Sequence, residues 1–78
     1  MLFRSIPGGI NKKGMIVGTW DDSSGVEHGF QRAPGGKIAS FDVPGSTLTN
    51  GNGINNKGEI TGPFIDANGT TRGFLRIP

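Results

Sequence analysis

The residues best suited to chemistry lie around the single histidine of the chain. His28 follows Glu27 directly and stands a few positions after Asp21 and Asp22. A histidine beside carboxylates is a common composition for general acid–base catalysis. The same pattern recurs later in the chain with Arg72 at the matching position, however, which favours a structural polar contact. The sequence therefore predicts no catalytic residue and a protein that is not an enzyme.

Trp20 is the residue best suited to ligand binding. It is the only tryptophan, and its match in the second copy of the pattern is Phe64. An aromatic face can stack on a sugar ring while polar side chains bind the hydroxyls. The candidate ligand-binding residues on this hypothesis are Trp20, Asp22, Glu27, His28, Phe64, Asp66 and Arg72. The alternative, which the sequence favours, is that Trp20 and Phe64 are equivalent packing residues.

Two loops, DDSSG and DANG, contain several side-chain oxygens of the kind that form calcium-binding sites. Neither has the alternating acidic ligands or the later bidentate carboxylate of a calcium loop. The chain has no cysteine and one histidine, so thiolate and imidazole metal sites lack ligands. We expect no metal and no cofactor, and hairpin turns at both loops.

These loops belong to a sequence that the chain contains twice. Gly9–Pro34 aligns with Gly53–Pro78 without a gap, at a period of 44 residues and with half of the positions identical. The chain thus reads as one domain, 1–78, made of two tandem repeats at about 9–45 and 53–78. A period of 40–50 residues is typical of propeller blades.

Each repeat has the two-residue periodicity of β-strands. In MIVGTW, one face carries Ile16, Gly18 and Trp20, and the matching face in EITGPF is Ile60, Gly62 and Phe64. Asn or Asp followed by Gly three residues later brackets each strand, as in hairpin loops that end in a left-handed glycine.

The strands group into two four-stranded antiparallel meanders. Along the chain these are a leading strand near 2–6, three strands up to about Ala33, the fourth strand of the first repeat at Lys37–Val43, and three more strands to the C-terminus. In this division the leading strand completes a blade at the other end of a neighbouring chain. Pro63, inside a strand, is expected at an edge or a bulge.

The motif GINxxGxIxG…DxxGxxHGF…FDxPG resembles the HAF-type repeat, a bacterial family found mostly in tandem arrays. The match is nearly complete from Gly9 to Gly45 and includes the signature His28-Gly29-Phe30; it also covers Gly53–Phe74, where Arg72 replaces the histidine. The resemblance implies β-propeller-like blades and an extracellular location, and it implies no catalytic residues. The sequence itself leaves the cellular location open, because MLFRSIPGG does not have the pattern of a signal peptide.

The composition limits which classes of binding partner we expect. The formal net charge is +2, without a Lys/Arg cluster, so we expect no nucleic-acid binding. No apolar run approaches the ~20 residues of a membrane span. Chains of about 70–80 residues rarely bury enough apolar surface alone, and this one has no disulfide to help.

We therefore expect an all-β chain of two propeller-type blades that closes a β-propeller by homo-oligomerisation. Three chains giving six blades is favoured, and four chains giving eight blades is second. The expected function is a non-enzymatic binding module, with carbohydrate bound between blades. The alternative is a purely structural fragment of a longer repeat array, without a ligand of its own.

Overall fold

Every element of the computed structural model, which describes residues 4–78, is a β-strand. The strands form two four-stranded antiparallel sheets, which confirms the predicted all-β class. In chain order they are β1 (Arg4–Ile10), β2 (Ile16–Asp21), β3 (Glu27–Arg32), β4 (Ile38–Phe41), β5 (Leu48–Thr49), β6 (Gly53–Ile54), β7 (Ile60–Ile65) and β8 (Thr71–Arg76).

The first sheet is a meander in the order β1-β2-β3-β4. Its hairpins form where the sequence predicts them. In the loop between β1 and β2, the Asn11 side-chain oxygen accepts the amides of Lys13 and Met15, and the Gly14 amide donates to the Asn11 carbonyl at 3.0 Å. Gly14 has a φ of 81°, the left-handed conformation that favours glycine.

The second sheet repeats this pairing with an interrupted edge strand. β5 and β6 both pair with β7, and β8 pairs with the other side of β7. Leu48 pairs with Ile65 and Ile54 with Ile60, which are the positions 44 residues after the first and last pairs of β1 with β2. No strand lies on the outer edge of β8 within residues 4–78.

The strands differ from the sequence-based division in β1 but not in β4. Lys37–Val43, the predicted fourth strand of the first repeat, contains β4, which pairs with β3 in the first sheet. The cause is a tight turn at Pro34–Gly36, closed by the amide of Ala33 on the carbonyl of Lys37 at 2.8 Å, which returns the chain beside β3. Residues 4–6 continue into residues 7–10 as a single strand paired with β2; positions 2 and 3 of the predicted leading strand lie outside the described residues.

Pro63 lies in β7, which has neighbours on both sides. The Pro63 carbonyl accepts the amide of Asn50, at the break between β5 and β6. The missing N–H of Pro63 therefore falls at a break where the ladder is already irregular.

The two sheets pack face to face through opposite sides. Residues paired across strands share a face. The side of the first sheet that contacts the second carries Val17, Thr19, Gly29, Gln31 and Phe41. The contacting side of the second sheet carries Ile60, Gly62, Phe64, Arg72, Phe74 and Arg76.

Buried apolar residues are few. Val17 and Ile60, one from each contacting face, are fully buried, and Phe30 is buried over Gly18. Several large apolar side chains stay at least half exposed: Ile6, Ile10, Ile38, Leu75 and Ile77. The single chain thus leaves much of its apolar surface in water.

Candidate functional site

The candidate site forms around the hairpin that joins β2 to β3. The Gly25 amide donates to the carbonyl of Asp22 at 3.0 Å and closes the turn. One carboxylate oxygen of Asp22 accepts the amides of Ser24 and Val26 at 2.8 and 3.1 Å. The other oxygen is left to face His28 on the neighbouring strand.

His28 lies between two carboxylates. Its Nε2 is 2.8 Å from Asp22 Oδ2, and its Nδ1 is 2.7 Å from Asp42 Oδ1, just beyond the end of β4. The Trp20 ring covers one side of the imidazole, with centroids 4.7 Å apart. The His28 side chain is 20% exposed. It therefore ties the hairpin, β3 and the exit of β4 together.

The electrostatics of this triad favour a charged imidazole. The hydrogen bond to Asp22, opposed in part by desolvation and helped by Asp42, raises the pKa of His28 above its ordinary value. The same bond, with the amide of Val26, lowers the pKa of Asp22. Both ring nitrogens are then donors. With both engaged by carboxylates, the ring has no free lone pair to act as a general base.

The second sheet holds a closely similar arrangement without a histidine. Asp66 accepts the amides of Asn68 and Thr70 at 2.9 and 3.0 Å and takes a hydrogen bond from Arg72 Nε at 2.8 Å. The bond from Arg72 lowers the pKa of Asp66. A cation thus holds the hairpin aspartate in both sheets, which supports the structural interpretation of His28.

Trp20 and Phe64 occupy matching positions in different surroundings. Trp20 lies on the face of the first sheet that points away from the second sheet, half-buried, and its Nε1 donates to Ser40 Oγ at 3.1 Å. Phe64 lies between the sheets, 6.4 Å from the Phe74 ring. The structure therefore does not bring the two aromatic residues into one pocket.

Glu27 is separated from His28. The two are neighbours in β3, so their side chains leave opposite faces of the sheet. Glu27 instead lines a cavity of about 140 Å³ between the sheets, together with Thr19, Asn50 and Asn52. The predicted acidic set is thus split between two faces.

Asp42 is the partner of His28 that sequence reasoning missed. It lies 14 residues from His28 in sequence and reaches it because β4 folds back beside β3. The signal was present in the FDVPG segment, whose aspartate directly follows the last residue of β4.

Within residues 4–78 no group of three or more His, Cys, Asp or Glu side chains is arranged to hold a metal ion. The same residues contain no helix of the length and apolarity needed to cross a membrane. No protein-family model, curated protein or solved structure matches the chain. The resemblance to the HAF-type repeat stays a prediction from the motif.

Proposed function

We propose that this chain is a non-enzymatic interaction module, whose two sheets are two blades of a β-propeller closed by association of identical chains. The single observation that carries this proposal is that the two outward faces correspond to the two faces already packed against each other inside the chain. The outward face of the first sheet carries the matches of Ile60, Phe64 and Phe74, namely Ile16, Trp20 and Phe30.

The outward face of the second sheet completes this correspondence. It carries Thr61, Pro63, Ile65, Thr71, Gly73 and Leu75. These residues match the face of the first sheet that the chain covers internally. Val17 is fully buried, whereas its match Thr61 is exposed. Each chain therefore presents both halves of one interface, the condition for head-to-tail association.

The shape of the internal interface supports a ring rather than a straight stack. At the β1 side the backbones touch: a Cβ on Gly51 would lie 2.7 Å from the carbonyl oxygen of Gly18. At the β4 side the gap is filled by the Phe41 and Phe74 rings, with centroids 6.0 Å apart. The two sheets are therefore closer together at the β1 side than at the β4 side. When such a tilted packing is repeated in one direction, the sheets are arranged around a common axis and close a ring.

Measurement of the solution mass by light scattering or native mass spectrometry tests the proposal. We expect a discrete species of three chains, or of four as the second choice. A folded monomer at all concentrations would contradict the propeller and require another account of the outward faces. A ladder of ever larger species would indicate an open array, the purely structural alternative.

Carbohydrate binding is the second candidate function, and the half-buried ring of Trp20 favours it. Trp20, His28 and Asp22 form a contiguous patch with an aromatic face and polar groups. A titration of the chain with neutral sugars, followed by tryptophan fluorescence, tests this candidate. Saturating quenching, together with a heat of binding that the Trp20→Phe variant loses in calorimetry, would support this candidate. No heat and no quenching across a broad sugar panel would contradict it.

A further inference from the structure

A polar side-chain pair joins the two sheets near the β1 side of the internal interface. Thr19 Oγ1 donates to Asn50 Oδ1 at 2.9 Å, and Thr19 is only 8% exposed. Asn50 stands at the break between β5 and β6 and precedes Gly51, which lies on the backbone of Gly18. This pair marks the place where the edge strand of the second sheet meets the face of the first.

Each member of this pair is matched by an apolar residue at the equivalent position of the other sheet. The match of Thr19 on the second sheet is Pro63, and the match of Asn50 in β1 is Ile6. Ile6 is 50% exposed, lies opposite Thr19 in the first sheet and lines the cavity between the sheets. Asn50 lies opposite Pro63 in the same way and still reaches across to Thr19, so the edge position that both residues occupy can contact a neighbouring sheet. A change of one partner alone would leave a polar group facing an apolar one, whereas here both have changed together.

Neighbouring positions also change from polar or charged residues on the internal face to less polar residues on the outward face of the second sheet. Gln31, which accepts a hydrogen bond from Arg76 inside the chain, is matched by Leu75, which is 58% exposed. Glu27 and Asp21, on the internal face, are matched by Thr71 and Ile65. The outward face of the second sheet therefore carries no charged residue.

The backbone of this face also allows a close approach. Gly18, on which Gly51 lies, is matched by Gly62, and Gly51 is matched by Pro7 next to Ile6. Ile10 is 65% exposed, whereas its match Ile54 is half-buried. The exposed residues of β1 thus match residues of the second sheet that the internal interface covers.

From these observations, and on the basis of the proposed function, we infer that the occupant of the outward face of the second sheet is β1 of a second copy. Ile6 and Pro7 of one chain pack on Gly62 and Pro63 of the next. The contact between chains is apolar where the contact within a chain is polar. Desolvation of Ile6, Pro63 and Leu75 drives association, since no charged group on the second sheet's outward face must be buried.

The test is a double-mutant cycle on the oligomer. Ile6→Asn and Pro63→Thr each place a polar group against an apolar partner, and we expect either change to raise the dissociation constant of the oligomer at least tenfold. The combination I6N/P63T rebuilds the Thr–Asn pair of the internal interface between chains, so we expect it to recover most of the affinity. Val26→Asn, an exposed site in the loop between β2 and β3, is the matched control and should leave the mass unchanged.

The outcomes separate this inference from the proposed function. Sedimentation equilibrium gives the masses, and circular dichroism verifies that each variant keeps its β-sheet signal. If the unaltered chain is monomeric, the proposed ring is wrong. If it is oligomeric and neither single variant changes the mass, the ring stands and the Ile6–Pro63 contact is wrong. Failure of the double variant to recover association while both single variants dissociate would also contradict the paired contact.

Discussion

At the scale of the residue, the single histidine links two segments of the first sheet. His28 joins Asp22 of the hairpin to Asp42 beyond β4, and Arg72 binds Asp66 in the same way in the second sheet. The two cations differ in one respect: histidine loses its charge near neutral pH, and arginine does not.

This difference predicts that stability falls as pH rises. The raised pKa of His28 means that its contribution is fully present below the unfolded-state pKa of about 6.5 and is lost as pH rises through the folded-state pKa. The lowered pKa of Asp22 means that its contribution is present above about 3.9 and is lost as pH falls through the folded value. Urea unfolding should therefore show the greatest stability between about pH 4 and 6.5.

The matched control is His28→Arg, which copies the second sheet. Because His28 is the only histidine, this variant should lose the decline above about pH 6.5. An unaltered chain whose midpoint does not fall over that range would show that the two carboxylates do not stabilise the charged ring.

At the scale of the element, glycines set how closely strands can approach. A Cβ added at Gly18 would lie 2.7 Å from the Phe30 ring and even closer to the carbonyl oxygen of Ile6. Gly35, in the turn between β3 and β4, has no atom of residues 4–78 within 4 Å of where its Cβ would lie. The two glycines therefore differ in how much space an added methyl group would find.

We expect Gly18→Ala to destabilise the chain by about 1–3 kcal/mol, because the added methyl meets backbone on one side and a packed ring on the other. Gly35→Ala is the control and should be neutral or slightly stabilising, since it lowers the entropy of the unfolded chain without a collision. Thermal unfolding of both variants gives the comparison. Equal effects would mean that the strand spacing at Gly18 is looser than the structure has it.

At the scale of the whole molecule, two small sheets expose matching faces and several large apolar residues. Trp20 lies on one of these faces, and Phe64 shows the environment that the position acquires once a second sheet covers it. On the proposed assembly, Trp20 is therefore covered only when chains associate.

This predicts a concentration-dependent tryptophan spectrum. Emission of Trp20 should move to shorter wavelength as the protein is concentrated and its ring leaves water. The control is the double variant W20F/F64W, which moves the only tryptophan between the sheets of one chain, where emission should not depend on concentration. A Trp20 spectrum that stays constant while the mass rises would place the chain–chain contact elsewhere.

The sequence by itself determined the strands, their hairpins and their repetition. Turn residues such as Asn11 and Gly14 act over a few positions, and strand alternation is local, so both can be read without long-range information. The same local character explains why the sequence predicts the hairpin turns at residues 22–25 and 66–69, which the structure shows.

Only the tertiary structure decided which strands share a sheet and which side chains meet. The pairing of Asp42 with His28 depends on which way the chain turns after Pro34, and the pairing of residues 4–6 with β2 depends on how β1 continues along its neighbour. The strand pattern near residues 4–6 is compatible with this sheet or with a neighbouring blade, because an edge strand can pair with any free edge. Hydrogen bonds in one turn and packing between two sheets selected the observed arrangement, and neither is encoded in the strand's own residues.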